Sequence, residues 1–93
     1  MTKRKNRDLI KIGKIIYDHR MNLSLEKESR KFFLDDRVNK GLLEEGDISE
    51  KTLINIENGY NLPSLVTLNY LATALEIDLL ELIEEVKGYI PRR

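Results

Sequence analysis

The chain has no cysteine, which excludes a disulfide framework and thiol catalysis; a small domain without such staples fits a reducing compartment, and the cytoplasm is the expected location. It has a single histidine, His19, with no cysteine or carboxylate cluster to complete a metal or nucleophilic centre. The expectation is therefore no enzyme, no catalytic residue, no cofactor and no metal. A long apolar run is also lacking. The basic start "MTKRKNRDLIKIGKII" leads into nothing long enough for a signal peptide or a membrane helix, so no membrane partner is expected. Sustained strand alternation is absent too, whereas apolar residues recur three and four positions apart, and the chain reads as all-α. With 93 residues, 41% hydrophobic and 34% charged, there is room for one modest core and one domain.

Net charge is the last thing missing: the formal total is zero. That argues at first against nucleic acid, because phosphate neutralisation supplies most nonspecific binding energy. The total hides an asymmetry. Residues 1–20 carry seven Lys or Arg against Asp8 and Asp18, a net of +5, while the other 73 residues carry nine bases and 14 acids, a net of −5. Such a chain can turn a basic face to a polyanion, or the basic start can simply be solvated.

The spacing predicts a first helix over about Leu9–Arg20, with Leu9, Ile12 and Ile16 on its inner stripe. Asn22 and Ser24 break it. Ser24 then offers a cap to a second helix with Glu26 and Glu28 in its first turn and with Leu25, Phe32 and Phe33 inside, continuing towards Val38 and Asn39. Gly41 and Gly46 flank "LLEE", a loop or a single turn. Ser49 caps a third helix that buries Leu53 and Ile56 and stops at Gly59. "YNLP" is an extended connection, because a residue before proline avoids helical backbone. Ser64 caps a fourth helix with Leu65, Leu68, Leu71, Ala72 and Leu75 as its stripe, and a fifth covers about Leu79–Val86. The fifth is apolar on more than one face, which calls for additional cover.

From Ser49 to Leu82 the ordered set Ser-x-x-Thr-Leu-x-x-Ile-Glu-x-Gly-x-x-x-Pro-Ser-Leu-x-x-Leu-x-x-Leu-Ala-x-x-Leu-x-Ile-x-x-x-x-Leu resembles the Cro/C1-type (XRE) helix-turn-helix family of phage and bacterial repressors. "IGKIIYDHR" and "LSLE" match the start of the same domain. The resemblance implies a five-helix lambda-repressor-like DNA-binding domain over residues 9–87, after a basic N-terminal arm (1–8) and before a short C-terminal tail (88–93). It implies a sequence-specific regulator of transcription, a repressor that binds double-stranded DNA as a homodimer and lays helix 49–58 in the major groove.

On the family's pattern, the early outward positions of that helix read bases: Glu50, Lys51, Ile54 and Asn55. Lysine donates to guanine, asparagine pairs with adenine, glutamate accepts from cytosine, and isoleucine touches a thymine methyl. Asn58, Tyr60 and Asn61 fall where the family meets phosphate, with Tyr60 alternatively capping the small core. Lys3, Arg4, Lys5 and Arg7 form the arm that would supply the phosphate contacts a reading helix with one Lys and one Glu lacks. Arg20 and Glu57 fall where family members form a structural ion pair. Leu80, Ile83, Val86, Tyr89 and Ile90 are the candidate dimer interface, or else close the core.

The pattern breaks between Phe33 and Ser49, where "LDDRVNKGLLEEGDI" adds roughly a dozen residues, an insertion at 34–48 before the recognition helix. Two registers follow. In the preferred one Ser24–Phe33 is the second helix; in the other "LLEEGDIS" aligns without a gap. The acidic body and the weakly basic reading helix also fit a second function on the same fold, a protein-binding module such as an antitoxin or an antagonist of another regulator, with a regulatory protein as partner.

Overall fold

A computed structural model describes residues 6–91. Among these the chain is all-helical: α1 (Arg7–Asn22), α2 (Arg30–Asn39), α3 (Glu50–Glu57), α4 (Leu65–Leu75) and α5 (Leu79–Val86), closed by a 3-10 turn at Lys87–Tyr89. Each helix starts at a side chain that satisfies its free N–H groups. Asn6 accepts from the amides of Asp8 and Leu9, Ser29 from Phe32, Ser49 from Thr52, Ser64 from Thr67, and Asp78 from Leu80. At α3 and α4 the cap hydroxyl also donates to the threonine hydroxyl three residues on.

The second helix differs from expectation. Its cap is Ser29, five residues beyond Ser24, and Ser24 instead holds a left-handed backbone with φ +53°. Glu26 and Glu28 therefore lie outside any helix, on an exposed segment between α1 and α2, and Leu25 packs against the core from that segment. Neither register is realised. The extra residues are divided between this lead-in and the 40–49 connection, while residues 34–39 belong to α2.

Three helices end in the same way. At α2 and α3 the glycine after the cap, Gly41 (φ +78°) and Gly59 (φ +81°), takes left-handed backbone, and the next amide bonds back to the carbonyl five residues earlier: Leu42 to Arg37, Tyr60 to Asn55. At α4 a non-glycine residue, Glu76 (φ +60°), does this, and the amide of Ile77 returns to Ala72.

The buried apolar residues form one cluster: Ile12 and Ile16 from α1, Phe33 from α2, Leu43 and Ile48 from the connection, Leu53 and Ile56 from α3, Leu68, Leu71, Ala72, Ala74 and Leu75 from α4, and Leu82 and Val86 from α5. Helix α1 lies against α3, and α4 against α5. The approach of α1 to α3 runs through Gly13, where an added Cβ would sit within 2.5 Å of the carbonyl oxygens of both Ile56 and Glu57. No described helix is long and apolar enough to cross a membrane.

Candidate nucleic-acid interface

Helix α3 is a thin wedge held from behind. Leu53 and Ile56 anchor its inner face, and its last residue, Glu57, is buried as well. The Glu57 carboxylate takes the Arg20 guanidinium side-on, Nε to Oε2 at 2.7 Å and Nη2 to Oε1 at 2.8 Å, and accepts from Arg30 Nε at 2.8 Å. Arg20 Nη1 donates to the Glu28 carbonyl, which ties the lead-in segment to the same cluster. A carboxylate between two guanidiniums fixes α1, α2 and α3 relative to one another, because a charge taken out of water needs its partners in place.

The outer face carries the residues that the resemblance marks as readers. Glu50 and Lys51 are exposed, and Ile54 and Asn55 are half-buried. Asn58 is the C-cap and half-buried, Tyr60 is half-buried, and Asn61 is exposed on the connection to α4. These seven therefore lie together along α3 and its exit. The base-donating and base-accepting groups needed for direct readout are present, but with one lysine and one glutamate the face has no net charge.

The start of the described chain reaches the exit of this face, where the Asn6 amide donates to the Gly59 carbonyl at 3.2 Å. Lys3, Arg4 and Lys5 lie outside the described residues. Arg7 is the first residue of α1 and not part of an arm, because Asn6 caps that helix. At about 100° per residue, Arg7, Lys11 and Lys14 share a stripe turned roughly 100° to 160° from Gly13, the residue against α3. Lys11 is engaged there with the Tyr89 ring, its Nζ 5.3 Å from the centroid, and Lys14 with Asp18 at 3.2 Å. The basic stripe of α1 is thus turned away from the side that lies against α3.

Among the candidate interface residues, Leu80 is 72% exposed and Ile90 42%, with Ile83 and Tyr89 half-buried. Val86 is a correction: at 1% exposure it closes the core one turn after Leu82, so it offers nothing to a second copy. Carboxylates crowd the exposed part of α5. Glu81 and Glu84 flank Leu80, Lys87 pairs with Glu84 at 2.8 Å, and Glu85 Oε1 lies 2.7 Å from His19 Nε2, which links α1 to α5. Among the described residues no group of three or more His, Cys, Asp or Glu side chains could hold a metal ion.

Sequence reasoning missed Arg37. It is 1% exposed, with Nη1 donating to the Ala74 carbonyl at 3.1 Å and to Glu76 Oε2 at 2.7 Å, and Nε to Asp36 Oδ2 at 3.1 Å. Its hydrogen bond holds the Asp36 carboxyl below the usual carboxylate range against the opposing effect of burial. The signal available in the sequence was Phe33 followed four residues later by Arg37, one inward turn of α2.

No family model matches the chain, and no curated protein and no solved structure matches it.

Proposed function

We propose that this protein is a sequence-specific double-stranded DNA-binding regulator of transcription, a dimeric repressor with a lambda-repressor-like fold that reads the major groove through α3. The observation that carries the reading is the build of that helix. Its inner side is immobilised by Leu53, Ile56 and the Arg20–Glu57–Arg30 cluster, while Glu50, Lys51, Ile54 and Asn55 are left at least partly open on its outer side. A helix is about 10 to 12 Å across with its side chains, so α3 can lie in a major groove about 12 Å wide. One such helix reads few base pairs, so a second copy is needed for a usable site, and Leu80, Ile83, Tyr89 and Ile90 would make that contact.

Selection of bound duplexes from a randomised pool at two salt concentrations tests the reading. A recovered near-palindromic consensus supports it; sequence-blind, salt-sensitive retention or none overturns it. In the latter case a protein-binding module on the same fold is the better account, which the uncharged reading face and the acidic surface of α5 favour.

A further inference from the structure

The 40–49 connection is one of the two places where this chain departs from a compact helix-turn-helix, and its own bonds hold it in shape. Leu43 and Ile48 are buried in the core, the Glu44 amide donates to Asp47 Oδ2 at 2.8 Å, and the Asp47 amide returns to the Glu44 carbonyl at 3.0 Å. Held in this way, the connection stands off α2 and leaves an open groove of about 300 Å³ between them. Its floor is apolar, built from Leu34 and Val38 of α2 and from Leu43 and Ile48. Its rim carries four carboxylates, Asp35, Glu44, Glu45 and Glu50, against one ammonium, Lys31, which is already tied to Asp35 at 3.3 Å.

We propose that this groove is a docking site for a basic peptide segment of another protein, one that sets a leucine-sized side chain on the floor between lysines or arginines that meet the rim. The apolar floor sets the first requirement and the charge of the rim sets the second. The rim excludes phosphate for the same reason that it attracts cations. It also ends at Glu50, the first residue of α3, so an occupied groove covers the N-terminal end of the face proposed to read DNA. The groove takes its ligand whether or not α3 reads DNA.

Backbone-amide NMR of the full chain tests this with acetyl-Lys-Leu-Lys-Lys-Leu-Lys-amide as the probe. The expected result is saturable shifts centred on Leu34, Val38, Leu43, Gly46 and Ile48, at least several-fold weaker binding of the peptide with serine in place of leucine, and no response to the glutamate-for-lysine peptide. The variant Glu44→Gln/Glu45→Gln, at two exposed side chains, should keep the wild-type melting temperature and weaken binding about five-fold. The proposal is overturned by no shift, by shifts centred on Glu81 and Glu84 of α5, by equal binding of the serine peptide, or by an unchanged affinity in the double variant. A short duplex whose shifts are centred on Leu34, Val38 and Leu43 rather than on α3 also overturns it, since the groove would then belong to a nucleic-acid surface. Loss of the peptide response with retained duplex selection separates failure of this site from failure of the DNA reading.

Discussion

Arg20 and Glu57, thirty-seven residues apart, meet through two parallel N–H···O bonds of 2.7 and 2.8 Å, with side chains 4% and 1% exposed. Removing one partner leaves the other charged and dry, so Glu57→Ala should destabilise the domain by about 3 to 5 kcal/mol. Replacing both by apolar residues of similar size, as in Arg20→Met/Glu57→Leu, should cost far less. Denaturant unfolding of the two variants checks this. If Glu57→Ala melts like wild type, the cluster is not what fixes α3.

Gly13 sets how closely α1 can approach α3. Alanine is the better helix former by about 1 kcal/mol, but the new methyl would fall within 2.5 Å of two backbone carbonyl oxygens that cannot rotate away. The clash outweighs the propensity, and Gly13→Ala should lose about 2 kcal/mol net. The control is Gly88→Ala, whose Cβ meets nothing within 4 Å and which should change the midpoint little.

Glu76 ends α4 in a left-handed conformation that glycine adopts without cost. Its side chain is 57% exposed, so its pair with Arg37 contributes little. Relief of the backbone is of similar size, about 1 kcal/mol, and Glu76→Gly should come out near neutral. Glu76→Ala keeps the strain and loses the pair, and so should be the less stable of the two. Calorimetric melting that ranks alanine above glycine would contradict the strain at this position.

Asp36 gives the acid limb of stability its sign. Its carboxyl titrates lower in the folded chain than in the unfolded one, because the Arg37 hydrogen bond favours the charged form. The folded state therefore binds fewer protons. The contribution is complete above the ordinary carboxylate value and is lost as pH falls from there through the lowered folded value. Asp36→Asn should reduce stability at neutral pH and flatten its decline in acid, as read from unfolding midpoints across pH.

On the proposed function, the reading face of α3 and the basic start would divide the work of binding DNA. Truncation of residues 1–5 spares the Asn6 cap of α1 and removes Lys3, Arg4 and Lys5. It should weaken binding, lower the salt slope by about 0.9 for each phosphate that is no longer neutralised, and leave the selected consensus unchanged. Lys51→Ala and Asn55→Ala should instead change the consensus at single positions. An unaltered slope after truncation removes the arm from the interface.

Local signals were enough where one element decides its own conformation. The caps at Ser49 and Ser64, the stop at Gly59, and the stripes Ile12–Ile16, Leu53–Ile56 and Leu68–Leu75 could be read directly, because capping and helical periodicity act over four residues. The second helix could not. Ser24 and Ser29 are equally good caps by type, and the choice between them rests on where Arg20 grips the Glu28 carbonyl and on which turn of α2 brings Phe33 and Arg37 inward.

What the sequence determined by itself is therefore the all-helical class, four of the five helices, and the inner faces of α1, α3 and α4 except at Leu65, which lies 65% exposed on the first turn of α4, since periodicity and caps are properties of neighbouring residues. Tertiary structure alone decided that Arg37 is buried against the end of α4, that Val86 faces the core, that the basic stripe of α1 turns away from α3, and that the 40–49 connection opens a groove. Each of these depends on charges and surfaces from segments far apart in the chain, whose meeting is fixed by which arrangement satisfies every buried ion and fills the shared core.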